Sequence, residues 1–204
     1  RQPQGKRVQS MEGSVMEMLR TFIALDMPTE IKTALAKYTQ PLRAMRGRVS
    51  WVKTENLHLT LKFLGDTPAA RVDEIAAALQ EIAAMAAPFS TVVSGSGVFP
   101  NDEHPRVLWV GVNETTGALQ KLVKAIDERM QQFGFAREKR AFTAHLTIGR
   151  AKDTRIPEIV RALKERPFAA MPAQFNEVIF MKSELHPLGS IYTPLCKLTL
   201  GKNE

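Results

Sequence analysis

A four-residue pattern occurs twice in this chain and constrains its fold more than any other feature. His58-Leu59-Thr60-Leu61 and His145-Leu146-Thr147-Ile148 each alternate a polar with an apolar side chain, and their histidines lie 87 residues apart (145 − 58). Because successive side chains of a β-strand point to opposite faces, each copy predicts a strand with an imidazole and a hydroxyl on one face. The apolar side chains then anchor the other face in a core.

The elements predicted around the two motifs also repeat. Strand, helix, motif strand, helix and long strand follow one another from Phe22 to Phe99 and again from Leu108 to Met181. The first strand precedes the motif histidine by 36 residues in one half (58 − 22) and by 37 in the other (145 − 108). Such strand and helix runs indicate an α+β or α/β layering. The repeat therefore predicts two pseudo-symmetric lobes whose motif strands face one central groove.

Hydrophobic spacing and the positions of glycine and proline set the expected boundaries of these elements. The first motif strand is predicted over 57–64, ending at Gly65, and the second over 142–150. The other predicted strands are 20–26, 49–53, 89–99, 106–112, one or two within 168–183, and 191–200. The first predicted helix starts at Pro28 and ends near Gly47. The other three cover 68–86, 118–133 and 156–165.

Composition and charge limit the class of protein. A single bilobal domain is expected over 18–204, and the polar segment 1–17 is expected to be a disordered arm or expression leader because it lacks the apolar stretch of a secretion signal. No apolar run is long enough to span a bilayer. We therefore expect a cytoplasmic monomer without a membrane partner. The net charge of +7 permits a polyanionic partner such as RNA without requiring one.

Cofactors are not expected. The single Cys196 excludes an internal disulfide and a cysteine-based metal site, and its place in a predicted strand favours a buried filler. No triplet of His, Asp and Glu has a recognisable metal-ligand spacing. The chemistry of the chain is therefore expected to come from its own side chains.

Two imidazoles facing one groove suit acid–base chemistry. Histidine ionises near neutral pH, so one ring can accept a proton from an attacking nucleophile while the other donates one to a leaving oxygen. Such a pair fits an in-line displacement at phosphorus. The hydroxyls of Thr60 and Thr147 can donate hydrogen bonds to non-bridging phosphate oxygens. One such motif would be an ordinary strand, whereas two in matching places favour a catalytic pair.

The motifs and their surroundings resemble the 2H phosphoesterase superfamily, and within it the RNA 2′,3′-cyclic phosphodiesterases, also called 2′-5′ RNA ligases. The resemblance runs from about Leu19 to Leu200 and rests on the order and spacing of several segments. These segments are Phe22-Ile23-Ala24-Leu25-Asp26-Met27-Pro28, Asn56-Leu57-His58-Leu59-Thr60-Leu61, Phe63-Leu64-Gly65, Arg106-Val107-Leu108-Trp109 and Tyr192-Thr193-Pro194-Leu195.

The resemblance implies an α+β fold in which each lobe is an antiparallel sheet with flanking helices. It also implies hydrolysis of RNA or nucleotide 2′,3′-cyclic phosphate ends to 2′-phosphomonoesters, with a weak reverse reaction that joins ends through a 2′-5′ bond. His58 would donate a proton to the leaving 3′ oxygen and His145 would accept one from water. Thr60 and Thr147 would hold the phosphate. The sequence alone does not decide which histidine is the acid.

The second motif departs from the family pattern at one position and leaves another open. Ala144 precedes His145, where the family often has proline. Arg150 matches a basic residue that follows the family's second motif, but strict strand alternation places it on the face opposite His145. Arg150 therefore reaches the groove only if the strand bulges at Gly149 or ends there.

Further candidates are weaker. Lys62 lies four positions after His58, so strict strand alternation places it on the same face, where it could bind phosphate. A solvated lysine is an equal alternative. Trp51 could stack a base of RNA. Core positions are expected for Phe63 and Trp109, and core packing is favoured for Tyr192. His104, His186, Lys139 and Arg140 are expected in exposed loops, with an RNA-backbone contact as the alternative for the last two.

Two alternative functions remain open at this stage. One is a non-catalytic module that binds nucleotides or RNA ends in the same groove. The other is a two-histidine phosphodiesterase that acts on a different cyclic substrate or on a 2′-5′ linkage. The presence of both motif histidines favours catalysis over binding alone.

Overall fold

The fold is described from a computed structural model, which covers residues 17–153, 155–187 and 189–201. The predicted arm falls almost wholly on residues 1–16, which lie outside the described residues. The described part contains nine strands and four α-helices. The strands are β1 (Met18–Asp26), β2 (Val49–Trp51), β3 (His58–Pro68), β4 (Phe89–Phe99), β5 (Val107–Asn113), β6 (His145–Ala151), β7 (Met171–Phe175), β8 (Glu177–Glu184) and β9 (Ile191–Thr199). The helices are α1 (Thr29–Arg43), α2 (Val72–Met85), α3 (Ala118–Gln132) and α4 (Pro157–Glu165).

The strands form one antiparallel sheet whose order is β7-β4-β5-β6-β3-β1-β8-β9, with β2 paired to the end of β6. This order is symmetric about its centre, because β6, β5, β4 and β7 follow one another on one side as β3, β1, β8 and β9 do on the other. The α+β class and the two pseudo-symmetric lobes are thus confirmed. Each lobe borrows a strand from the other repeat, since β4 pairs with β5 and β8 pairs with β1.

The two lobes meet at the motif strands. β3 and β6 are antiparallel neighbours, and Leu59 pairs with Leu146. Both leucines are almost completely buried, as is Ile148. The apolar face of each motif therefore belongs to one continuous core, which the helices cover. The polar face of each motif lies on the other side of the sheet.

Both motif strands contain a β-bulge at the same place. On β3, Ile23 pairs with Lys62 while Ala24 pairs with Thr60, so Leu61 is an extra residue. On β6, Leu108 pairs with Gly149 while Trp109 pairs with Thr147, so Ile148 is extra. An extra residue reverses the alternation of side chains beyond it. Positions 62 and 149 consequently turn into the core, and positions 63 and 150 turn outward.

The first motif strand does not end at Gly65, as the sequence predicts, but continues to Pro68. A second bulge lets this happen, because Thr21 pairs with Gly65 and Phe22 with Phe63, leaving Leu64 unpaired. Gly65 has φ +73°, which a glycine adopts without strain. The glycine here marks a bulge rather than a strand end. The second motif strand starts later than predicted, at His145.

Each helix buries one apolar face. α3 buries Leu119, Leu122, Ile126 and Met130, and Gly134 follows it with φ +86°. The helix predicted over 68–86 begins instead with a 3₁₀ turn, Ala69–Arg71, before α2. None of the helices in the described ranges is long and apolar enough to cross a membrane.

Candidate active site

The pairing of Leu59 with Leu146 brings both motifs onto one face of adjacent strands. In an antiparallel ladder this register sets His58 across from Thr147 and Thr60 across from His145. The two histidines then occupy diagonal positions, which are about 7–8 Å apart in a regular ladder. The structure thus brings together the four side chains that the sequence singled out. We call the surface that these four residues form the groove face.

His58 is held in one tautomer by its own backbone. Its Nδ1–H donates to the carbonyl oxygen of Asn56 at 2.7 Å, and its Nε2 lies 3.0 Å from Thr60 Oγ1. A carbonyl oxygen only accepts, so Nδ1 carries the proton of the neutral ring. The ring packs against Phe22 and the edge of Tyr192, with ring centroids 4.9 and 5.2 Å away. Nε2 is therefore the basic nitrogen of the ring, and it accepts a hydrogen bond from the Thr60 hydroxyl.

His145 repeats this arrangement on the other lobe. Its Nδ1–H donates to the carbonyl oxygen of Thr143 at 2.8 Å. The ring meets Phe99 edge to face at 5.1 Å, and Phe99 in turn stacks on Trp109. In both motifs the acceptor is the carbonyl two residues before the histidine. The same local hydrogen bond thus makes Nε2 the basic nitrogen of both imidazoles, and that of His58 accepts from the Thr60 hydroxyl.

The two histidines differ in their surroundings. Burial lowers the pKa of His58 below its ordinary value, and the hydrogen bond to the Asn56 carbonyl opposes that effect. The negative charge of Asp26 also raises this pKa, whereas the positive charges of Lys32 and Arg150 lower it by less. His58 is therefore biased towards the neutral form in the free protein at pH 7. A negatively charged ligand in the groove would shift this balance towards the imidazolium.

Arg150 lies on the groove face because of the bulge at Ile148. Strict alternation would point it into the core, but Ile148 and Gly149 are both buried and Arg150 is exposed. Its positive charge is the smallest of the causes that lower the pKa of His58, after burial and Lys32. The sequence predicts that Arg150 reaches the groove only if the strand bulges at Gly149 or ends there, and the structure contains such a bulge.

Lys62 does not line the groove face, so the parity prediction for this residue is wrong. The bulge at Leu61 turns its side chain into the core, where it is 8% exposed. Its Nζ donates to Asp127 Oδ1 at 2.5 Å and to the carbonyl oxygen of Ala136 at 2.8 Å. Lys62 is a buried ion-pair partner of α3, and its Nζ is committed to that helix and the segment after it.

Trp51 also lies away from the groove face. It pairs with the buried Gly149 on β6, and its ring packs against the hydrophobic core. The Arg43 guanidinium covers the ring at 5.5 Å from its centroid. A Cβ at position 149 would come within 3.2 Å of Trp51, so Gly149 makes the space that this ring occupies. The predicted stacking of a base on Trp51 is therefore not supported by its position.

Three aromatic residues expected in the core stand at the groove instead. Phe63 is 62% exposed, because the bulge at Leu61 turns it outward. Trp109 pairs with Thr147 and is half-buried, and Tyr192 packs on His58. Residues paired across two strands share one face of the sheet, so the pairing of Trp109 with Thr147 puts Trp109 on the groove face. The sequence does not contain this pairing. The remaining histidines, His104 and His186, are exposed as predicted.

Replacing Arg150 with glutamine is expected to raise the pKa of His58. Removing a nearby positive charge stabilises the imidazolium, so the ring of the variant stays protonated to higher pH. The pKa remains below its ordinary value, because burial is the larger cause. An NMR titration of the His58 ring measures this shift. Arg161→Gln, an exposed charge on α4, is the control; an unchanged pKa in Arg150→Gln would place Arg150 beyond Coulombic range.

Comparison with known proteins agrees with this geometry. The family model described as LigT-like phosphoesterase matches twice, over residues 25–109 and 110–192, one match for each repeat. The chain belongs to the LigT-like phosphoesterase family, which is part of the 2H phosphoesterase superfamily. The double match also agrees with the internal duplication that the two motifs indicate.

Relatives cover nearly the whole chain. A protein of Methanothermobacter thermautotrophicus named RNA 2′,3′-cyclic phosphodiesterase is 32% identical, over 87% of this chain and 96% of its own length. One of Archaeoglobus fulgidus with the same name is 35% identical, over 87% and 98%. A crystal structure of a protein from Thermus thermophilus superposes with a TM-score of 0.78 at 28% identity, covering 91% of this chain and 100% of that one.

Proposed function

We propose that this chain hydrolyses the 2′,3′-cyclic phosphate ends of RNA or nucleotides to 2′-phosphomonoesters without a metal ion. The observation that carries the proposal is the shared face of β3 and β6, where both imidazoles commit Nδ1 to a backbone carbonyl and so have Nε2 as their basic nitrogen. The name shared by the relatives from Methanothermobacter and Archaeoglobus supports the same substrate.

The proposed reaction is one in-line displacement at phosphorus. His145 Nε2 accepts a proton from a water molecule while the water oxygen forms a bond to phosphorus. The bond between phosphorus and the 3′ oxygen breaks, and protonated His58 gives its Nε2 proton to that oxygen. The products are a 2′-phosphomonoester and a free 3′ hydroxyl, with His145 protonated and His58 neutral. Proton exchange with solvent then resets both rings.

Three side chains are assigned to the phosphate. Thr60 and Thr147 stand across the ladder from the opposite imidazole and can donate hydrogen bonds to non-bridging oxygens. Arg150, on the same face, supplies positive charge for the transition state. His58 can act as donor only when its ring is protonated, and burial lowers its pKa. The negative charge of a bound phosphate raises that pKa, so we propose that the substrate itself brings His58 into its protonated form.

With a 5′ hydroxyl in place of water as the nucleophile, the same groups would join that hydroxyl to a 2′,3′-cyclic end. The 5′ oxygen would bond to phosphorus and give its proton to His145 Nε2, the bond between phosphorus and the 3′ oxygen would break, and His58 would protonate that oxygen, so that a 2′-5′ bond remains. Water at its bulk concentration competes with that reaction. We therefore propose that ligation is weak compared with hydrolysis.

The direct test is incubation with 2′,3′-cyclic mononucleotides in the presence of a chelator, with the 2′- and 3′-phosphate products resolved by chromatography. We expect the 2′-phosphate to accumulate at the same rate with and without the chelator. Binding without turnover would favour the non-catalytic alternative. Turnover of only a 2′-5′ linked or a different cyclic substrate would favour the other alternative.

A further inference from the structure

A second basic surface lies outside the groove. Helix α1 and the segment that follows β2 enclose a concavity of about 420 Å³. Its lining includes Lys37, Gln40 and Arg43 of α1 and Lys53, Thr54 and Glu55 of the following segment. All three cations are exposed, and Glu55 is the one carboxylate in this lining. We call this surface the basic concavity.

The cations of the basic concavity are not neutralised within the chain. In the described ranges neither Lys37, Arg43 nor Lys53 has a carboxylate within 4.0 Å, although many other cations of the chain do. Arg46 and Arg48, just beyond α1, are exposed and equally without an ion-pair partner there. Clustered like charges repel one another unless a polyanion neutralises them. The charge distribution therefore favours a phosphate-rich ligand at this surface.

Arg43 is held in place before any ligand arrives. Its Nη2 donates to the carbonyl oxygen of Val52 at 3.1 Å, and its guanidinium lies over the ring of Trp51. A guanidinium that is fixed in this way loses less conformational entropy on binding than a free one. Its remaining donors stay available at the wall of the basic concavity.

The basic concavity is joined to the active site by a short stretch of chain. Thr54 and Glu55 form part of its wall, and the carbonyl of the next residue, Asn56, accepts the hydrogen bond of His58 Nδ1. Three residues of extended chain span at most about 10 Å, so the wall ends close to the catalytic ring. Asn56 Nδ2 also donates to the carbonyl oxygen of Ser190, which ties this stretch to the chain ahead of β9.

We propose that the basic concavity binds the phosphodiester backbone of the RNA strand that leads into the cyclic phosphate end. This inference rests on the proposed function and names its preferred substrate, an oligonucleotide rather than a mononucleotide. The strand would place its terminal phosphate between the two histidines and an upstream phosphate against Lys37, Arg43 and Lys53. The contacts are to backbone charge, so binding there does not depend on the base sequence.

The test compares two double variants that remove the same charge. Lys37→Gln with Lys53→Gln changes the basic concavity but keeps Arg43, whose contact with Trp51 is structural. Lys121→Gln with Lys124→Gln changes the exposed side of α3 and serves as the control. Each is assayed with a 2′,3′-cyclic mononucleotide and with a short single-stranded oligonucleotide that ends in a 2′,3′-cyclic phosphate, over a range of salt concentrations.

For the Lys37 and Lys53 variant we expect kcat/KM on the oligonucleotide to fall about tenfold at low salt, through KM. The slope of log(kcat/KM) against log[salt] should become shallower by roughly 1.4, because two single-strand phosphate contacts are lost. Kinetics on the mononucleotide should not change. Equal losses in the α3 variant, or none in either, would overturn the proposal.

The experiment separates this proposal from the proposed function. If the unmodified protein hydrolyses neither substrate, the proposed function fails. The basic concavity can still be tested in that case, by fluorescence anisotropy with an oligonucleotide that ends in a plain hydroxyl. Weaker binding by the Lys37 and Lys53 variant alone would then support the site, and equal binding by all three proteins would reject it.

Discussion

His58→Ala and His145→Ala are each expected to lower kcat/KM for a 2′,3′-cyclic nucleotide by about 10²–10⁴-fold, the usual worth of one general acid or base. Each ring has Nε2 as its nitrogen for proton transfer, because Nδ1 is committed to a backbone carbonyl. The other two imidazoles of the chain, His104 and His186, lie in exposed loops and belong to neither motif. The alanine variants therefore lack a substitute for the missing proton transfer.

Controls separate lost chemistry from lost structure. His104→Ala removes an exposed imidazole and should keep the rate of the unmodified protein. The double variant, His58→Ala with His145→Ala, is expected to be little slower than either single variant, because two groups that act in one step are not additive. Near-normal turnover by either single variant would rule out the two-histidine mechanism.

The pH profile assigns the two roles. The unmodified protein should give a bell-shaped kcat/KM, falling at high pH as the acid loses its proton and at low pH as the base gains one. If His58 is the acid, the residual activity of His58→Ala lacks the fall at high pH, and that of His145→Ala lacks the fall at low pH. The reverse pattern would exchange the roles. Such an exchange would agree with the lowered pKa of His58 in the free protein.

The bulges explain which site residues the sequence could predict. Parity within one strand placed His58, Thr60, His145 and Thr147 correctly, because all four precede the extra residue of their strand. It failed at Lys62 immediately beyond the extra residue. A bulge is defined by the register between two strands, and the partners β1 and β5 lie far from the motifs in the chain. Periodicity along one segment does not contain that register.

The same limit applies to the fold. The order of elements in each repeat could be predicted, since local periodicity and glycine and proline positions define it. The pairing of β8 with β1 could not, because these strands belong to different repeats and lie near opposite ends of the chain, whereas β4 and β5 are consecutive strands that pair across a short loop. That exchange gives each lobe its full sheet and leaves β3 and β6 as the central neighbours. The shared groove face follows from this pairing as much as from the motifs.

Lys62→Met is expected to lower the free energy of unfolding by about 3–5 kcal/mol, the usual cost of removing one partner of a buried ion pair. The side chains of Lys62 and Asp127 are 7% and 14% exposed, so water can replace little of what is lost. The variant leaves the Asp127 carboxylate with the backbone N–H of Glu138 and the more distant Arg137 as its partners. Urea unfolding at pH 7 measures the difference.

The loss should depend on pH and on the partner residue. Although burial raises the pKa of Asp127, its hydrogen bonds with Lys62 and the Glu138 N–H, together with nearby positive charge, hold that pKa below its usual value. The stability that this group contributes is present above its unfolded pKa of about 3.9 and is lost as the pH falls through the folded pKa. The stability lost in Lys62→Met should accordingly be smaller in acid.

The double variant, Lys62→Met with Asp127→Leu, should recover much of the lost free energy of unfolding, since no carboxylate remains unpaired. Lys124→Met, which breaks an exposed pair on the same helix, should cost less than about 0.5 kcal/mol; a penalty at Lys62 no larger than this would show that the ion pair is not needed to hold β3 against α3.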